Sequence, residues 1–243
     1  MWGGETEAAP ANQTEEKHYK KEHAMGINPV NSRILPAFLI FACFVPAVFG
    51  SYRIGAIIYE ANWMPVYAAD HVDQLPLFMH VIGSVGFLLL GAAQMWLGLR
   101  QVAPVLHRRS GRFAAILGLI GAASGIWMTL LHGQISGPLL FWGRLAASTA
   151  WASCIVLGIA AILRRDVPNH RAWMIRAFAL SLPAGTLAFI LIPVMLIFGE
   201  QSEFAGEVIQ VAAWPVHVAV AEFFARQKRR ATQSRLIQIG AMS

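Results

Sequence analysis

The chain has 243 residues, 56% of them hydrophobic and 13% charged, with a mean hydropathy of +0.53 and a formal charge of +6. Soluble domains carry about 25% charged residues, so this balance excludes an ordinary soluble fold and points to one membrane bundle with two tails. The basic excess does not indicate nucleic acid, because Lys and Arg flank apolar segments and form no basic face interleaved with aromatics.

Residues 1–33 hold Glu5, Glu7, Glu15, Glu16, Lys17, Lys20, Lys21 and Glu22 with few large apolar side chains, which predicts a flexible N-terminal tail. No short apolar core with a small-residue cleavage site follows, so a cleaved secretory signal is not expected. His18 and His23 are solvated residues of this tail.

Six apolar segments then follow, at 34–52, 76–99, 113–132, 138–163, 173–198 and 208–225. Each is near the roughly 20 residues that cross a hydrocarbon core. Only helices meet that need here, because every backbone polar group must be satisfied in lipid and the runs lack the alternation of barrel strands. The predicted fold is an all-α integral membrane protein, a bundle of six transmembrane helices. Its domain spans 34–225, and 226–243 form a basic C-terminal tail. Pro36, Pro46, Pro183, Pro193 and Pro215 are expected to kink these helices locally.

Loop charge sets the orientation. The stretches 100–112, 164–176 and 226–235 are basic, while 131–138 and 199–207 carry no Lys or Arg. The positive-inside rule therefore places both termini in the cytoplasm. The opposite face takes Glu60, Asp70, His71 and Asp73, together with Glu200, Glu203 and Glu207. Trp63, Tyr67, Trp142 and Trp214 lie towards that side as interfacial anchors.

Small residues mark helix contacts. Gly118, Gly121 and Gly125 make one smooth stripe and Gly83 with Gly86 another; both suit close packing of helix backbones in lipid. A flat cofactor against the same surface is the second reading. Cys43 and Cys154 lie in apolar runs and read as buried small hydrophobes. Gln94 and Glu222 are further buried polar candidates, the latter four residues from Arg226 and able to pair with it.

The histidines are the informative set. A membrane haem b is held by two imidazoles from different helices at matching depth. His80 with His132, or His80 with His217, meets that description on the outer side; His107 with His170 meets it on the inner side. No diagnostic haem spacing occurs within these helices. The plainer reading makes His80, His132 and His217 hydrogen-bonded interhelical residues, and His107 and His170 headgroup or capping residues; proton relay and metal binding are further alternatives. Arg53 and Arg144 face the outer half of the bundle, where a charge costs about 2.5–3.5 kcal/mol on insertion scales and calls for a partner. Glu60, Asp70, Asp73, a haem propionate, a quinone oxygen or an anionic substrate would each serve, as would snorkelling to headgroups.

Both basic stretches bind anionic lipid headgroups or dock a partner; lipid is the default. They also follow one pattern, a His-Arg pair and then an Arg opening the next apolar run. His80, Gln94, Arg100, His107-Arg108 with Gly111-Arg112, Trp151, and His170-Arg171 with Trp173, Met174 and Arg176 together resemble a domain-of-unknown-function family of predicted bacterial membrane proteins. The resemblance spans about 78–186 and implies a multi-pass protein of the bacterial cytoplasmic (inner) membrane. Where the family often has Thr-Leu-Arg, this chain has Thr186-Leu187-Ala188, so a polar role at that last position does not carry over. The general look is similar to small b-type membrane cytochromes, by analogy only.

Two functions follow as expectations. One is a redox component that binds haem b and passes electrons within the membrane, to or from quinone, with His80 the favoured ligand because it is the intrahelical His that also matches the family pattern. The other is a non-catalytic accessory subunit of a larger membrane protein complex, contacting it through the N-terminal tail and the small-residue faces. A transporter is disfavoured, because no paired broken helices mark a midplane site.

Overall fold

The computed structural model describes residues 43–48, 50–52, 55, 74–95, 97–132, 137–199 and 201–240. Among these residues every regular element is a helix. In chain order they are α1 (Gln74–Met95), α2 (Leu97–Val102), α3 (Pro104–His132), α4 (Pro138–Leu163), α5 (Val167–Ser181), α6 (Pro183–Phe198) and α7 (Glu203–Gly240). Four of them are long and apolar enough to cross a membrane, and a fifth span is made if α5 and α6 count as one, bent by 44°.

Proline sets where several helices begin. Pro104, Pro138 and Pro183 open α3, α4 and α6, a position where the missing N–H has no intrahelical partner anyway. As a result the basic stretches predicted as loops are largely helical. Residues 104–112 form the first turns of α3, and only 164–166 separate α4 from α5. That link is compact because it caps both helices at once. The N–H groups of Asp166 and Arg165 return to the carbonyls of Ala161 and Ile162, at 2.9 and 3.0 Å, with Arg165 at φ 61° in the left-handed region. Asp166 then caps α5 by accepting from the Asn169 N–H at 3.1 Å.

The packing makes a ring. α1 lies on α3, α3 on α4, α4 on α5 and α5 on α1, so α1 and α4 are diagonal, as are α3 and α5. α7 packs outside the ring on α4, α5 and α6. Glycine allows the tightest of these contacts: a Cβ at Gly83 would stand 2.5 Å from the Gly121 nitrogen and 2.7 Å from the Leu117 carbonyl oxygen. The smooth faces of α1 and α3 are thus consumed by each other, backbone against backbone, and the flat-cofactor reading of that surface has no room between them. Phe87, Trp151 and Phe178 fill the ring's centre, with Phe87 edge-on to Trp151 at 5.4 Å between centroids.

The segment predicted at 173–198 is two helices. The chain bends after Ser181, where Pro183 removes an N–H, and α6 leaves the ring to lie on α7. Leu196, Ile197 and Phe198 are more than 70% exposed at its end, as lipid-facing residues are. The segment predicted at 34–52 is described only in part: Cys43 is fully buried among Phe87, Leu88 and Ala92, and Gly50 abuts Val81. Cys43 and Cys154 are free and buried, as expected. Arg53, Glu60, Asp70, His71, Asp73 and the tail 1–33 lie outside the described residues.

Candidate functional site

Polar side chains gather at the two ends of the ring and leave its aromatic middle dry. At the end where α3 and α5 begin, each helix carries a histidine as its fourth residue. The His107 N–H bonds the Ala103 carbonyl at 3.0 Å and the His170 N–H bonds the Asp166 carbonyl at 2.9 Å. The two rings therefore hang from equivalent turns of diagonal helices. His170 and Arg100 both lie within electrostatic reach of the His107 ring.

Their hydrogen bonding differs in an informative way. His170 donates its Nδ1–H to the Gly158 carbonyl at 2.8 Å, which leaves the lone pair on Nε2. This is the arrangement in which an imidazole serves as a metal or haem ligand, its other nitrogen fixed by a backbone carbonyl. His107 keeps Nδ1 buried with no hydrogen-bond partner. A buried polar atom left unpaired costs about 1–3 kcal/mol, so this nitrogen is available to a ligand at no loss of an existing bond.

The surroundings are basic and tied down. Arg176 stacks over the Trp173 ring at 4.5 Å and donates from Nε to Glu222, joining α5 to α7. Glu222 also faces Arg226 at 3.8 Å, the pairing expected from their spacing, so one carboxylate bridges two guanidinium groups. Gln94 donates to Ser110 at 2.7 Å and ties α1 to α3. The cross-helix bond of Glu222 to Arg176 was not readable from spacing, since the two residues are far apart in sequence.

The other end is built on His80. Its Nδ1–H donates to the Gly121 carbonyl of α3 at 2.8 Å, and Ser84 donates to its Nε2 at 3.4 Å. Arg144 on α4 is within electrostatic reach of His80, and Glu207 of α7 is within reach of Arg144. The Glu207 carboxylate also accepts the Leu140 N–H at 3.3 Å, at the N-terminus of α4, where negative charge is favoured. Gly137 leaves the space this carboxylate occupies.

The remaining histidines stand apart. His217 is committed at both nitrogens: Nδ1–H donates to the Ala213 carbonyl at 2.6 Å and Nε2 accepts from Thr186 at 2.9 Å. Its helix α7 packs on α4, α5 and α6, while α1, which carries His80, packs on α3 and α5. His132 closes α3, and its side chain lies outside the described residues. Of the pairings read from sequence, the structure brings His107 and His170 into mutual reach. No group of three or more His, Cys, Asp or Glu that would hold a metal ion occurs among the described residues. Trp151, a buried residue of the family pattern, keeps its indole N–H without an acceptor.

Several apolar helices, polar groups confined to the bundle ends and basic first turns define a multi-pass helical membrane protein. The chain belongs to the predicted membrane protein family DUF2306, a family of unknown function whose model matches residues 77–225. No curated protein and no solved structure matches it.

Proposed function

We propose that the chain is an electron-transfer component of the bacterial cytoplasmic membrane that holds haem b between His107 and His170. The observation that carries this reading is a pair of imidazoles at equivalent turns of diagonal helices, with Nε2 of His170 and the buried Nδ1 of His107 both uncommitted. Haem, when bound, supplies one-electron chemistry. The chain's part is to hold and orient it: Gly158 fixes the His170 ring, Asp166 fixes the turn that carries it, and Arg100 supplies positive charge beside His107 that suits a propionate. Protein expressed with ample haem should give a Soret band in reduced-minus-oxidised spectra, lost in His107→Ala and in His170→Ala but kept in His80→Ala. No Soret band in the wild type removes this reading.

The same proposal includes six spans over 34–225, both termini in the cytoplasm, a flexible tail at 1–33 and a basic tail at 226–243. The Arg-rich turns of α3 and α5 support this orientation and suit anionic lipid. Labelling of a cysteine placed at Ser136 from the cytoplasmic face alone would reverse it.

The second reading is an accessory subunit of a larger membrane complex. The weak attachment of α6, which leaves the ring and packs mainly on α7 and the end of α5 among the described helices, favours it. Sizing after mild detergent extraction tests it: a monodisperse monomer with no partner counts against it.

A further inference from the structure

We propose that the outward face of α3 holds one anionic phospholipid, its phosphate on Arg109 and Arg112 and an acyl chain along the apolar stripe that continues from them. This names a discrete site on the protein surface and goes beyond the redox reading, on which it does not depend.

The site starts from the register of the helix. Val105, Arg109, Arg112, Ile116, Trp127 and Leu130 are all exposed. At 3.6 residues per turn they fall within a sector of about 60°. The opposite side is packed: Ala114 and Ala122 are buried, and a Cβ at Gly118 would stand 2.6 Å from Phe87 and 2.7 Å from Ile155. One face of α3 therefore looks outwards along its length, and below Arg112 it is apolar.

Length puts that change at the membrane boundary. The candidate span Pro104–Leu131 has 28 residues, which is about 42 Å of helix against a hydrocarbon core of about 30 Å. Its far end is apolar and exposed at Leu130 and Leu131. The surplus of about 12 Å, or about eight residues, therefore falls at the Pro104 end. It carries Arg109 into the headgroup layer, leaves Arg112 at its edge, and starts the hydrocarbon at the exposed Phe113 and Ile116.

Charge selects the ligand. No Asp or Glu occurs between Asp73 and Asp166, so the whole of α3 and its neighbouring turns lack a carboxylate. Arg109 and Arg112 enter no ion pair among the described residues. Two guanidinium groups one turn apart on the same face suit the oxygens of a single phosphate. The basic turn between α4 and α5 differs, because Asp166 stands between Arg165 and Arg171. A lipid is favoured over free phosphate or an acidic protein, since the apolar stripe runs straight on from the two arginines.

Native mass spectrometry of the full-length protein in mild detergent, titrated with dioleoyl phosphatidylglycerol, tests the site. One lipid should bind at least about tenfold more tightly than dioleoyl phosphatidylcholine, and Arg109→Gln/Arg112→Gln should remove that preference. Arg164→Gln/Arg171→Gln, which deletes the same charge from the other basic turn, should keep it within about twofold. All four side chains are exposed, so both variants should melt within a few degrees of wild type. Equal loss in the two variants would reveal a diffuse attraction and overturn the site, and a wild type without the preference overturns it with no variant needed. Displacement of the lipid by equimolar inorganic phosphate would make the acyl stripe irrelevant, and displacement by a polyglutamate peptide would give the face to an acidic protein; either result defeats the proposal. Binding should persist in His107→Ala/His170→Ala, so this site and the haem reading stand or fall separately.

Discussion

The two ends of the ring meet the same difficulty, polar side chains in a lipid-embedded bundle, in opposite ways. At the His80 end the imidazole and its hydroxyl neighbours are mostly uncharged, and His80 is satisfied by a glycine carbonyl brought close because Gly83 and Gly121 let two helix backbones touch. At the His107 and His170 end the groups are largely charged, and they are held by helix caps and by the Arg176 to Glu222 bridge. The difference lies in the partners: the first end relies on backbone carbonyls brought close by glycine contacts, the second on carboxylates that face guanidinium groups and helix N-termini. The first end should therefore fail through packing and the second through electrostatics and caps.

The largest expected effect tests the packing side. Gly83→Ala pushes a Cβ into the backbone of α3, which cannot move aside as a side chain can. Overpacking costs typically about 1–3 kcal/mol, and this substitution should fall at the top of that range or prevent folding. Gly86→Ala, whose Cβ would meet only the flexible end of Leu117, is the control and should cost clearly less. Equal melting temperatures for the two variants would break the account of the α1 to α3 contact.

The bridge at the other end comes next. Glu222→Gln leaves Arg176 and Arg226 without their shared carboxylate; with both partners of the main pair about a quarter to a third exposed, the loss should be about 1–2 kcal/mol. A double-mutant cycle with Arg176→Gln should show coupling, and independent effects would mean the bridge contributes little.

Asp166→Ala removes the cap of α5 and should cost about 1 kcal/mol. It carries a second readout, because the same turn positions His170: haem retention should fall further than for an equally destabilised packing variant away from that turn. The smallest change has the opposite sign. Arg165 is a non-glycine residue in the left-handed region, a conformation that costs roughly 1 kcal/mol, so Arg165→Gly should raise the melting temperature slightly. A drop would show that the Arg165 side chain matters more than its backbone.

Much of this was legible in the residues. Segment lengths, glycine stripes and the paired His-Arg turns are local properties, and the spacing of the two turns already put His107 and His170 at comparable positions. The basic stretches were misread as loops because Arg and His suggest a solvated connection, whereas Pro104 and the Asp166 cap start helices before those residues. Gln94 found Ser110 and Glu222 found Arg176, neither of which any periodicity along one helix could reveal.

The sequence by itself determined that the chain is helical and membrane-embedded, since apolar length and backbone hydrogen bonding in lipid leave few alternatives. It also determined which end of each segment is basic. Only the tertiary structure decided which histidines are spent and which are available. His217 has both nitrogens bonded, and His170 has its Nδ1–H held by Gly158 alone. That distinction depends on which backbone carbonyl or hydroxyl a neighbouring helix brings within 3 Å, and helix neighbours are chosen by glycine contacts and a proline bend acting on the whole bundle.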